Sequence, residues 1–189
     1  MSDDPFAIAA QMAGAFDVLR VSYAVGGSLA SSLHGVPRAT NDVDIVADLR
    51  IAHVDRFISA IENIFFVDAE MVRAAVGDRS SFNVIHQSTM MKVDVFVAGS
   101  DAWVVEELFR ARPEAIEIEG KTTTIRFATA EDTLLYKLVW YRQGGEQSER
   151  QWSDVLGVIK VQAQQLDRAY LRHWAKHLKV GDLLDRAFT

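Results

Sequence analysis

The stretch that most restricts how this chain can fold runs from Ala24 to Val46. A short apolar segment, Ser22 to Val25, leads into Gly26-Gly27-Ser28. An apolar run from Leu29 to Leu33 follows, then a polar loop with His34-Gly35 and Pro37-Arg38, and then Asn41-Asp42-Val43-Asp44-Ile45-Val46. The spacing predicts a strand, a tight turn, a helix beginning at Leu29 and a second strand. Strand side chains alternate in direction, so Val43 and Ile45 enter a core while Asp42 and Asp44 share the opposite face. Two like charges on one strand face repel each other unless a cation joins them.

The remaining chain supplies elements to pack around this unit. Asp4-Pro5 reads as an N-cap followed by proline at the first helical position, opening an amphipathic helix over about residues 5 to 19. Val54, Phe57, Ile58 and Ile61 form one stripe, so a helix is expected over 51–64. A short helix over 68–76 follows, ending near Gly77. Ser81 to Gln87 and Met90 to Val97 are strand-like and separated by a turn at Ser88-Thr89, which places Lys92, Asp94 and Phe96 on one strand face. Ser100-Asp101 caps a helix over 102–109, and a hairpin turns at Glu119-Gly120-Lys121. Beyond residue 128 only helical periodicity is found. The expected architecture is therefore an α/β unit over residues 1–128, with a mixed sheet and flanking helices, followed by a helical region over 129–189.

Composition narrows the function classes. The 189 residues are 49% hydrophobic and 24% charged, as in a globular protein, and there is no apolar run of about 18 residues to span a membrane. The acidic start, Met1 to Pro5, lacks the basic character of a signal peptide, and no cysteine is present for disulfides or thiolate metal sites. The cytoplasm is the expected compartment. A net charge of -6 argues against broad nucleic-acid binding, which needs clustered Lys and Arg.

Asp42, Asp44 and Asp94 form a cluster if their two strands are neighbours. Divalent metals bridging such carboxylates serve phosphoryl transfer, and Mg2+ suits an all-oxygen donor set completed by substrate phosphates. Gly26 and Gly27 permit close approach of a ligand to the backbone, and Ser28 opens a helix whose free N–H groups favour a triphosphate. Taken together, these features describe a nucleoside triphosphate (NTP) held for attack at its α-phosphate.

The order strand, Gly-Ser, 13 residues, Asp-x-Asp, then a distant strand aspartate flanked by valines resembles the DNA polymerase β nucleotidyltransferase superfamily. The string from Gly26 through His34-Gly35 and Arg38-Ala39-Thr40-Asn41 to Asp44 is similar to a bacterial branch of it. That branch includes abortive-infection type II toxin nucleotidyltransferases and small antibiotic nucleotidyltransferases. The resemblance implies a nucleotidyltransferase fold with a C-terminal helical bundle, and a Mg2+ or Mn2+ requirement with an NTP as co-substrate. Asp42 and Asp44 would be metal ligands. Asp94 would be the third carboxylate, activating the attacking hydroxyl, and Gly27 and Ser28 would contact phosphate. A lysine on the first C-terminal helix, Lys137 here, would aim at the triphosphate. The acceptor could be tRNA, a protein or a small molecule, and an antitoxin protein is a partner expected of the toxin branch. A non-catalytic nucleotide-binding module of the same fold is the competing reading.

Other residues carry weaker signals. Arg38 is placed to hold a triphosphate or an acceptor group, or else is a solvated loop arginine. His34 reads as a packed or helix-end residue. Glu131 and Asp132 fit the first turn of a helix capped by Thr129. Arg142, Gln143 and Arg150 flank an inter-helix turn that either contacts a polyanionic acceptor such as tRNA or is solvated, with Arg150 and Asp154 paired at i,i+4 spacing, and His173 and His177 read as a surface face.

Overall fold

The computed structural model describes residues 4–189; the acidic Met1–Asp3 lies outside the described residues. The elements alternate through the first two thirds of the chain: α1 (Pro5–Leu19), β1 (Tyr23–Val25), α2 (Gly27–His34), β2 (Asp42–Ala47), α3 (Val54–Ile61), β3 (Phe65–Phe66), α4 (Ala69–Asp78), β4 (Ser81–His86), β5 (Lys92–Val97), α5 (Ala102–Arg110), β6 (Arg112–Ile118) and β7 (Lys121–Phe127). Four helices follow: α6 (Ala130–Gln143), α7 (Glu149–Gln162), α8 (Arg168–His177) and α9 (Gly181–Ala187).

Local chemistry sets most of the helix starts. Asp4 accepts from the Phe6 N–H with Pro5 behind it, and Asp68, Asp101, Thr129, Ser148 and Asp167 cap α4, α5, α6, α7 and α8 in the same way. The helix expected over 51–64 is instead two pieces, followed by a short strand that the sequence pattern does not mark. A 3-10 turn covers Ile51–His53, α3 ends at Ile61, and Phe65–Phe66 pairs antiparallel with His86 and Ile85. A two-residue strand has no periodicity of its own; its partner on β4 creates it.

The strands form one seven-stranded sheet in the order β3-β4-β5-β2-β1-β7-β6. β2 with β5 and β1 with β7 are parallel, and the other neighbours are antiparallel. One face of the sheet, through Val43, Ile45, Phe82, Val84, Val93 and Val95, packs under α1, α3 and α4. There Phe16 stacks on Tyr23 at 5.5 Å and on Phe57 at 5.3 Å. A second core joins α6 to α9 through Leu134, Leu135, Leu138, Val155, Val158, Leu171, Leu183 and Leu184, with Trp103 of α5 added.

α2 lies against both α6 and α7. Gly35, at its C-terminal end, makes this approach possible: a Cβ there would stand 2.8 Å from the Val158 nitrogen and 3.0 Å from the Gly157 carbonyl carbon. The loop after α2 is thereby drawn onto α7. Among the described residues no helix is long and apolar enough to cross a membrane.

Candidate functional site

The parallel register of β2 and β5 sets Asp42 opposite Lys92 and Asp44 opposite Asp94. With the apolar side chains of both strands in the core, Asp42, Asp44, Lys92 and Asp94 emerge together on the other face of the sheet. Thr40 donates to Asp42 Oδ1 at 2.6 Å, and the Lys92 ammonium lies 2.6 Å from Asp94 Oδ2. Asp44 makes no side-chain hydrogen bond or salt bridge among the described residues. Burial, with the charges on Asp42 and Asp94, pushes its carboxyl up to about 6, against the pull of Lys137 and Lys92. The expected cluster of three carboxylates is thus brought together as like charges that feel one another.

The turn beside them is built on Gly27. Its φ of 56° lies in the left-handed region, and an added Cβ would collide with the Asp44 carboxylate, 2.6 Å from its Cγ. The Gly26 N–H donates to the Asp44 carbonyl at 2.9 Å, fastening the turn to β2. α2 consequently begins at Gly27, two residues before the apolar run that signals it in the sequence. Among the described residues no side chain caps this N-terminus, which leaves its first N–H groups available to an anion.

Arg38 and Lys137 converge on the same place through a residue that sequence reasoning assigned elsewhere. Asp154 of α7 accepts from Arg38 Nε at 2.8 Å and Nη2 at 2.8 Å, and Lys137 Nζ lies 2.8 Å from its Oδ2. Arg38 Nη2 also donates to Ser28 Oγ at 2.6 Å. The i,i+4 pairing of Asp154 with Arg150 is therefore not formed. Asp154 faces inward with Val155 and Val158, and a buried carboxylate takes cations that come to it from the interior. Burial opposes its charge, but Arg38 and Lys137 outweigh that and hold the carboxyl below the usual range. Lys137 does not extend to water either, with a side chain only 2% exposed. One signal in the sequence pointed to this: Asp154 interrupts the apolar stripe of its helix, and a charge at a core position requires a partner.

The weaker candidates resolve individually. His34 is packed, with Nε2 2.8 Å from the Ala128 carbonyl. Arg142 is paired with Asp182 at 2.6 Å and Glu146 at 3.1 Å. His177 lies 3.2 Å from Asp101, and both His177 and His173 stand edge-on to Trp174. Glu131 and Asp132 do more than complement a helix dipole. Asp132 is fully buried and accepts from Tyr170, Trp103 and Thr129, and Glu131 accepts from the Asp167 N–H and pairs with Arg110.

The site thus assembles uncapped helix N–H groups, a hydroxyl, two fixed cations and three repelling carboxylates on adjoining strands. Among the described residues no group of three His, Asp or Glu side chains is poised to hold a metal ion. In this arrangement Lys92 holds Asp94 and Thr40 holds Asp42. The donor chemistry fits a hard divalent cation, because all three side chains offer oxygen and a cation would relieve the repulsion at Asp44.

No family model matches the sequence, and no curated protein does. Solved structures do match over nearly the whole chain. An antigenic nucleotidyltransferase-like protein from Paracoccidioides brasiliensis aligns over 98% of this chain and 92% of its own, with a TM-score of 0.56 and 18% identity. ANT(2")-Ia in complex with adenylyl-2"-tobramycin aligns over 92% of this chain and 95% of its own, with a TM-score of 0.56 and 14% identity. The solution structure of the antibiotic-resistance factor ANT(2'')-Ia aligns over 89% and 91%, with a TM-score of 0.51 and 13% identity. The mixed sheet with its flanking and C-terminal helices is a nucleotidyltransferase fold.

Proposed function

We propose that this protein transfers a nucleotidyl group from an NTP to a hydroxyl acceptor, releasing pyrophosphate. The observation that carries the reading is the Asp44–Asp94 register across β2 and β5, beside an uncapped helix N-terminus ringed by Ser28, Arg38 and Lys137. Gly26, Gly27 and Ser28 receive the phosphates at the start of α2, and Arg38 and Lys137, fixed by Asp154, supply the positive charge. Asp42, Asp44 and Asp94 would hold Mg2+ or Mn2+, which when bound neutralises charge on the reacting phosphoryl oxygens. The acceptor oxygen forms its bond to the α-phosphorus as the bond to the bridging oxygen of the β-phosphate breaks. The acceptor's proton passes to Asp94, which lies on the side of β2 away from the phosphate turn.

Residues 1–128 form the catalytic unit on this reading, and the helices of 129–189 close the acceptor side and deliver Lys137 and Asp154. The acceptor class is RNA, protein or a small molecule. A ligand-binding relic of this fold would have no need to keep Asp44 charged among like charges, which is what favours catalysis over mere binding.

Incubation with each α-32P NTP, Mg2+ or Mn2+ and a cell extract tests the reading, beside an Asp42→Ala/Asp44→Ala control. Label entering an RNA, protein or small-molecule fraction only with the intact aspartates is the expected result. Metal-dependent NTP binding without transfer to any fraction would overturn catalysis in favour of a binding module. The resemblance of the motif string to abortive-infection toxins extends the proposal to a toxin with an antitoxin protein as partner. Expression alone should then arrest growth in an aspartate-dependent way.

A further inference from the structure

A cavity that the chemistry above does not use lies away from the carboxylates, on the face of the sheet that α1 covers. Its volume is about 500 Å³, within the roughly 300 to 1,000 Å³ of small-molecule sites. Ile8 and Gln11 of α1 line one side, His86 at the end of β4 another, and Ile118, Lys121 and Thr123 of the β6–β7 hairpin a third. Ile118 and Lys121 are partners across that hairpin, so Lys121 stands on the face that Ile118 packs against the core.

The most enclosed polar side chain lining this cavity is His86, only 4% exposed. Its Nδ1 lies 2.8 Å from Thr89 Oγ1 and 3.4 Å from Ser88 Oγ. Thr89 Oγ1 already accepts from the Met91 N–H at 3.3 Å, which leaves its own proton for His86 Nδ1. Burial lowers the proton affinity of the ring and keeps it neutral. With Nδ1 accepting, the one ring proton sits on Nε2. Nε2 has no hydrogen-bond partner among the described residues. An enclosed N–H without an acceptor costs stability, and a ligand oxygen that accepts from it removes that cost.

We propose that this cavity binds a small molecule by an oxyanion, a carboxylate or a phosphate, received by the His86 Nε2–H together with Lys121 and Thr123. The Lys121 ammonium makes no ion pair among the described residues, and the Thr123 hydroxyl is a further donor. Ile8 and Ile118 offer apolar surface to the body of the molecule. Glu119, exposed on the turn, also lines the cavity and opposes an anion. A cationic ligand would suit Glu119 but would set a second donor against the His86 N–H, so the enclosed group selects the anion. Asn83 is the β4 partner of Asp94 and shares its face, and His86, three residues further along β4, lies on the other. The sheet therefore separates this cavity from the carboxylates, and the proposal does not rest on the nucleotidyl-transfer reading.

Histidine side-chain 1H–15N correlation spectra of the full chain, titrated separately with citrate and with inorganic phosphate, test this. The expected result is an Nε2–H tautomer at His86 in the free protein and a saturable shift of its Nε2 signal with at least one of the two anions. Lys121→Ala should raise the Kd read from that shift about 10-fold, and Glu119→Gln should lower it. Both substitutions are at exposed positions, so the comparison does not require a change in the core. A response to citrate alone identifies the carboxylate form of the ligand, to phosphate alone the phosphate form, and to both the shared oxyanion. An Nδ1–H tautomer, a His86 signal that neither anion moves, or a Kd unchanged in Lys121→Ala would overturn the site.

Discussion

Replacing Asp44 by Asn should make the metal-free protein more stable while abolishing its proposed activity. Burial and the neighbouring charges on Asp42 and Asp94 carry the Asp44 carboxyl from 3.8 to about 6. At about 1.4 kcal/mol per tenfold change in proton affinity, keeping it ionised at pH 7 costs the fold about 2 to 3 kcal/mol. The sign follows from where the proton binds better. Between about pH 4 and pH 6 the folded state holds this proton more tightly than the unfolded chain, so the cost fades as pH falls through 6 and is absent below about 4. At pH 7, Asp44→Asn should therefore melt about 4 to 12 °C above the wild type for a chain of this size. That advantage should shrink steadily as the pH is lowered to 4. Taking the difference between variant and wild type at each pH cancels the titration of every unrelated group. Added Mg2+ should raise the melting temperature of the wild type and do little for the variant. Thermal melts by circular dichroism, from pH 4 to 8 with and without Mg2+, read all of this. An Asn variant no more stable than wild type at pH 7, or with the same advantage at every pH, would refute the argument that Asp44 is a charge held at a cost.

Three other substitutions follow from the same geometry. Gly27→Ala forces a side chain into left-handed backbone and against the Asp44 carboxylate; it should lower stability by at least about 1 kcal/mol in urea unfolding and reduce nucleotidyl transfer more than 10-fold. Asp154→Asn leaves the buried Lys137 and the Arg38 guanidinium without their counterion and should cost about 3 to 5 kcal/mol at pH 7 by denaturant titration. Because the Asp154 carboxyl is held below its usual range, its stabilisation is full above about pH 4, so the deficit should narrow only in stronger acid. Tyr170→Phe removes the 2.6 Å hydrogen bond to buried Asp132 and should cost about 1.5 to 3 kcal/mol in the same assay.

Much of the fold was written in local pattern. The alternation of Val43 and Ile45 with Asp42 and Asp44, the caps at Asp4, Asp101 and Thr129, and the turn at Glu119-Gly120 each depend on neighbours within a few residues. Where an element depends on a distant partner, local pattern misplaced it. Phe65–Phe66 was given no strand, and α2 was started at Leu29 because a left-handed Gly27 at its first turn has no periodic signature. Asp154 was read against its sequence neighbour Arg150, although its partners lie on the α2–β2 loop and on α6.

Taken alone, then, the sequence determined which side chains share a face: Asp42 with Asp44, and Lys92 with Asp94 and Phe96, because a strand's period of two allows nothing else. It also determined that a glycine turn and a helix start adjoin the first pair. Only the tertiary structure decided that β5 lies beside β2, in parallel and in the register that sets Asp94 at Asp44. It alone drew Arg38 and Lys137 onto Asp154 and brought Trp140 beside Phe96. A parallel neighbour must be reached through intervening elements, and ion pairs between helices form only once those helices pack. Both are set by how the two cores bury their apolar faces, and no short window of sequence contains that information.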